Sequence, residues 1–210
     1  MEKAVRTVFS PWESEKIIEK SRFITYSAHA ESEEEARAFI AEIRGKHTLA
    51  THVCFAFIAD KIGNLQRFSD DGEPQGTAGV PILEVLKNKK LFETVVSVVR
   101  YFGGVKLGAG GLVRAYSSCA SENLDGADIR VLQVCAEYEI FVEYTGIDCV
   151  QIYLSSNTCT LLSTTYGEKV SFKIAVKQAD ENAFVTRLVD YMQGKVQTKR
   201  GVEYYAPFKE

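Results

Sequence analysis

Residues 95–120, VVSVVRYFGGVKLGAGGLVRAYSSCA, constrain the fold of this chain more than any other stretch. Val95, Val96, Val98 and Val99 make an apolar, β-branched run with the composition of a buried strand. It ends at Arg100-Tyr101-Phe102 and enters a loop carrying Gly103, Gly104, Gly108, Gly110 and Gly111. Residues 112–124 then read as a helix, with Ala115 and Cys119 on its packed side and Gly126 as its stop. In a strand–glycine loop–helix unit, free backbone N–H groups at the helix start can bind an anion. Neither GxxxxGK[ST] nor GxGxxG is complete, so a tight turn with close packing stands as the alternative reading.

The charge balance narrows the partners. A net charge of −3 provides no global basic field for nucleic acid, so such a contact needs a local patch. Five cysteines (Cys54, Cys119, Cys135, Cys149, Cys159) form no C-x-x-C pair, which points to reduced, mostly buried thiols in a cytoplasmic protein. The first ten residues lack a signal-peptide core and no run approaches a membrane span, so no membrane association is expected.

Along the chain, alternation through Ile17, Ile18, Phe23, Ile24 and Tyr26 suggests strands within residues 12–30, turned near Lys20-Ser21. Ser32-x-x-Glu35 is a capping box for a helix carrying Ala36, Phe39, Ile40 and Ile43, with Gly45 as its end. Glu31, Glu33, Glu34 and Glu35 read as first-turn charge, and metal binding is disfavoured because they splay around the turn. Residues 53–59 (VCFAFIA) form a buried strand, Asp60 to Asn64 a hairpin turn, and residues 65–68 the returning strand. An irregular loop at residues 69–79 holds Asp70, Asp71 and Glu73, followed by a short helix opened by Pro81 and closed by Lys87-Asn88-Lys89-Lys90.

Beyond Gly126, strands are expected at 129–134, 138–142, 159–165, 170–177 and 196–205. Helices are expected around 147–155 and from Asp180 to Gly194. The βαββαβ order is ferredoxin-like, which divides the chain into domains 1–135 and 136–210. Phe172 is a candidate stacking platform on the middle strands of that second sheet, but no RNP-like motif is present, so single-strand RNA stacking is not expected there.

His47, His52, Asp70, Asp71 and Glu73 match no metal or acid–base pattern, and Ser117, Ser118 and Cys119 have no evident base or nucleophile elbow. No catalytic residue, cofactor or metal is therefore assigned. Arg100, Lys106 and Arg114 form the better constellation, because cations beside free N–H groups suit phosphate. Salt bridging to Asp70, Asp71 and Glu73 is the competing role for them. The candidate anion cleft thus comprises Arg100, Gly103, Gly104, Lys106, Gly108, Gly110, Gly111 and Arg114, with Asp70, Asp71 and Glu73 as its acidic wall.

SDDGEPQGTAG at residues 69–79 and RYFGGVKLGAGGLVRAY at 100–116 closely resemble the signatures of the YigZ/IMPACT family. KSRFI at 20–24 and the KH…THVCFAF stretch at 46–57 are similar to its flanking motifs. The resemblance implies an α+β protein. Its N-terminal domain would have the ribosomal-protein-type fold shared with galactokinase- and mevalonate kinase-type enzymes. Its C-terminal domain would resemble the last domain of elongation factor G. It implies no firmly attached enzyme activity. Eukaryotic members regulate translation in the starvation response with an additional RWD domain, which this sequence does not contain, so the same partner interaction is not expected. The expected function is a monomeric, non-enzymatic binding or regulatory protein near translation, contacting RNA, ribosome or a translation-related protein. The alternatives are a nucleotide- or phosphometabolite-binding enzyme and a protein-interaction module with a structural glycine motif.

Overall fold

The computed structural model describes residues 4–209, with side chains up to Ala206. Val5–Val131 forms one unit and Leu132–Phe208 the other. Both are mixed α+β units with antiparallel strand pairing.

The N-terminal unit contains β1 (Val5–Val8), β2 (Trp12–Ile18), β3 (Ser21–His29), α1 (Glu33–Lys46), β4 (His52–Ile58), β5 (Gln66–Ser69), α2 (Gly79–Asn88), β6 (Thr94–Tyr101) and α3 (Gly108–Gly126). Its sheet runs β2-β3-β6-β4-β5, antiparallel throughout. β6 is central, and its valine run is uninterrupted because both of its faces are covered. Val95 and Val99 face the α1 side with Ala28, Ile40, Ile43 and Phe57. Val96 and Val98 face the α2–α3 side with Cys54, Ala56, Ile82, Tyr116 and Leu124. The strand period of two then places Arg100 on this second face, beside Phe23 of β3 and His52 of β4 in register.

The turn between β2 and β3 falls at Glu19-Lys20, both at positive φ (45° and 64°), one residue before the expected position. Ser32 caps α1 as expected, accepting from the Glu35 N–H at 3.2 Å, while Glu35 reaches back one residue beyond the cap and accepts from the Glu31 N–H at 2.8 Å. Gly45 does not end α1. The helix continues to Lys46, and its C-cap His47 is held between the Tyr26 and Tyr101 hydroxyls at 2.8 and 2.9 Å. Those two contacts offset the ~1 kcal/mol cost of a helical glycine. α3 starts at Gly108 rather than at residue 112, so Gly108, Gly110 and Gly111 belong to its first turn, not to a loop. The short strand β1 gave no sequence signal.

The C-terminal unit contains most of β7 (Ile129–Val142), then α4 (Ile147–Ser155), β8 (Cys159–Tyr166), β9 (Val170–Lys177), α5 (Glu181–Tyr191) and β10 (Gln197–Lys209). β9 lies between β7 and β8, and β10 also pairs with β7. β7 is one continuous strand where the sequence suggests two, because Cys135 and Ala136 are buried in the sheet rather than turned out. Phe172 is fully buried with Ile140, Val150, Phe184 and Leu188 beneath α4 and α5, so it is a core residue and cannot serve as a stacking platform. No helix among the described residues is long and apolar enough to cross a membrane.

Candidate functional site

The 69–79 loop and the end of β6 meet at one buried ion pair. Glu73 accepts from Arg100 Nη1 at 2.6 Å, and both side chains are about 95% buried. The Tyr116 hydroxyl donates to the same Glu73 oxygen at 2.8 Å, and Arg100 Nη2 donates to Ser21 Oγ at 3.2 Å. The Arg100 guanidinium also lies 5.4 Å from the Phe23 ring centre and 5.5 Å from that of Phe102. His52 Nδ1 donates to the Asp71 carbonyl at 2.8 Å, with its Nε2 3.9 Å from Glu73. Burial pushes the Cys54 thiol up to about 12 and raises the Tyr116 phenol as well, so neither ionises near neutral pH.

The other two carboxylates hold the loop itself. Asp70 accepts backbone N–H bonds from Gly76, Ala78 and Gly79 at 2.8–3.0 Å. Asp71 accepts from Arg44 Nη2 and the Val53 N–H, each at 2.6 Å. Burial works against ionisation of Asp70, but the three N–H groups outweigh it and hold its carboxyl below the usual range. A folded-state pKa below the unfolded one stabilises above the unfolded value, and this stability is lost as pH falls through the folded value. Urea midpoints measured from pH 7 to 3 are therefore expected to fall below about pH 4 in the wild type. Asp70→Asn is expected to have a lower midpoint at pH 7 and a flatter decline on acidification; parallel curves would remove this role.

Asp70, Asp71 and Glu73 are thus turned inward to satisfy backbone N–H groups and Arg100, and they do not form the expected acidic wall. Arg100 is only 4% exposed and is engaged by Glu73, so it faces no external anion. Gly103 is a packing glycine: a Cβ there would stand 1.9 Å from the Lys20 carbonyl oxygen. Gly104 takes positive φ (85°) in the loop before α3, and Gly108 takes positive φ (68°) as the helix's first residue. Gly110 is exposed on the first helical turn.

The remaining cations line a separate cleft of about 620 Å³. It is formed by Lys16, Ile18, Glu19, Val105, Lys106, Leu107, Gly111, Arg114, Ala115 and Ser118. No residue of the 69–79 loop lines it. Lys16 pairs with Glu122. Lys106 and Arg114 are exposed and form no ion pair among the described residues. The start of α3 has no side-chain cap, leaving its first N–H groups available. Sequence reasoning missed Tyr116, Ser21 and Cys54 around Glu73, because strand register and the closing of the 69–79 loop bring them together.

The family pattern of the Impact N-terminal domain matches residues 19–124, which include every residue of this cleft except Lys16 and Ile18. The chain belongs to the IMPACT family. A domain of unknown function, DUF1949, matches residues 140–195. The Bacillus subtilis IMPACT family member YvyE is 40% identical over 195 residues, covering 93% of this chain and 90% of YvyE. Escherichia coli YigZ is 36% identical, covering 86% of this chain and 89% of YigZ. A Thermus thermophilus IMPACT family member is 56% identical over 181 residues. A crystal structure of a hypothetical protein, 32% identical, superposes with a TM-score of 0.62 over 94% of this chain. The mixed α+β architecture is therefore shared with an experimentally determined fold.

Proposed function

We propose that this IMPACT family chain is a non-enzymatic binding protein linked to translation, which contacts the phosphate backbone of RNA through the cleft beside α3. The supporting observation is the cleft's chemistry: Lys106 and Arg114, neither paired within the unit, flank Gly111 and the uncapped start of α3. Lysine supplies a mobile point charge, arginine a planar fork for two phosphate oxygens, and the helix start a partial positive charge. With a net charge of −3, this local patch must supply the attraction. The ribosomal-protein-type N-terminal fold and the elongation factor G-like C-terminal fold implied by the signature motifs agree with a ribosome-side role. That agreement is one of fold analogy. Cytoplasmic residence belongs to the same proposal, and the monomer remains its expected state.

A nucleotide or phosphometabolite is the second reading, because a cleft of about 620 Å³ has the size of a small-molecule site. Fluorescence anisotropy with short RNAs at two salt concentrations, and calorimetry with nucleotides, separate the two. The expected result is RNA binding that weakens steeply with salt. Lys106→Ala with Arg114→Ala should lower the log–log salt slope by about two, one per lost phosphate contact. Shallow salt dependence with base selectivity would favour the nucleotide. Absence of wild-type binding, or equal binding by the double variant, would reduce the glycines to packing.

A further inference from the structure

A second group of polar residues gathers at the opposite register end of β3 and β6. β3 ends at His29, which pairs with Thr94 at the start of β6, and the Ala30 N–H donates to the Glu93 carbonyl at 2.8 Å. This pairing holds Glu93 beside His29, while Glu31 follows two residues later at the approach to α1. One ring nitrogen of His29 and one carboxylate oxygen from each of Glu31 and Glu93 lie within 4.8 Å of one another. We propose that His29, Glu31 and Glu93 form a binding site for a divalent first-row transition cation of the manganese or zinc kind.

Three observations carry the assignment. Glu93 is only 3% exposed, yet its Oε2 has no hydrogen-bond partner. A buried carboxylate oxygen without a donor is costly, and a cation is one of the few groups that can satisfy it.

The second observation is the orientation of His29. Thr94 donates its hydroxyl proton to the Phe92 carbonyl at 2.8 Å, and Thr7 donates its own to the Glu93 carbonyl at 2.9 Å. Thr7 Oγ1 stands 2.8 Å from His29 Nδ1, and this hydrogen bond fixes the orientation of the ring. Nε2 then faces Glu31 Oε1 at 3.0 Å. A histidine whose distal nitrogen is fixed by a hydrogen bond is the usual arrangement of a metal ligand.

The third is the donor set. One imidazole nitrogen and two carboxylates suit manganese or zinc, whereas sites for calcium and magnesium are built from oxygen alone. Ligands on one ion at about 2.0–2.2 Å stand about 3–4 Å apart, a modest contraction of the spacing present here. Glu31 is largely exposed, leaving water access to the remaining coordination positions. Lys61 and Asp60 act on Glu93 from the β4–β5 turn with opposite signs.

The test uses the full chain with Cys149 and Cys159 replaced by serine, because these two of the five thiols are not buried and would themselves take zinc. Manganese binding is followed by electron paramagnetic resonance and zinc binding by calorimetry. The expected result is one ion per chain and a rise in melting temperature on loading. Glu31→Gln, on the surface, and the isosteric Glu93→Gln are each expected to weaken binding at least tenfold, with unchanged circular dichroism. Lys61→Met is expected to leave binding equal or tighter. Binding of neither ion, or full affinity in both glutamine variants, would overturn the site, and so would binding of magnesium or calcium alone.

Discussion

Glu73→Ala is expected to destabilise the N-terminal unit by about 3–5 kcal/mol, the cost of stranding one partner of a buried ion pair. The substitution would leave the Arg100 guanidinium without its carboxylate at a position that is 4% exposed, where its Nε already has no partner. It would also remove the acceptor of the fully buried Tyr116 hydroxyl. Urea unfolding followed by tryptophan emission reads this unit, since Trp12 in β2 is the only tryptophan of the chain. Glu73→Leu combined with Arg100→Met should recover much of the loss, because a buried pair often gives way to apolar residues at little cost. If Glu73→Ala unfolds with the wild-type midpoint, the pair does not support the unit. If the double variant is no better than the single one, the loss reflects packing rather than unpaired charge.

Gly103→Ala is the second large effect, an expected loss of about 3 kcal/mol or more from overpacking. Its Cβ would stand 1.9 Å from the Lys20 oxygen and 2.6 Å from the Ser21 nitrogen, both backbone atoms of the β2–β3 turn. Neither can withdraw without opening the β3–β6 pairing that aligns Arg22 with Tyr101. Gly110→Ala is the contrasting case. Its Cβ would meet only the Arg114 guanidinium at 3.9 Å, so replacing glycine within a helical turn should be neutral or stabilising by up to about 1 kcal/mol. Thermal unfolding of the two variants separates packing glycines from those that leave backbone open to a ligand. Equal melting temperatures would show that the clash at Gly103 relaxes.

Several features follow from local sequence patterns. Ser32 and Glu35 cap α1, Asp60 accepts the Gly63, Asn64 and Leu65 N–H groups in its hairpin turn, and the valines of β6 form a strand buried on both faces. The family signatures were equally readable, because two long motifs occur in order within one unit. The cap and the hairpin turn are contacts between near neighbours, where spacing alone decides which groups can meet, and the valines of β6 specify a strand whose cover comes from α1, α2 and α3.

The fate of the charged residues was decided by tertiary structure. Arg100 and Lys106 lie six residues apart on either side of the same glycines, yet one is buried against Glu73 and the other lines a cleft beside α3. Strand alternation fixes the face on which Arg100 falls, but its partner comes from a loop twenty-seven residues away. Asp70 and Asp71 were drawn inward by backbone N–H groups that become donors only once the loop has closed. Gly103 shows the same limit from the packing side, for its requirement comes from a carbonyl at Lys20 that the folded sheet alone brings near. A side chain's charge and shape are written locally, whereas its burial and its partner depend on which distant strands are brought into register.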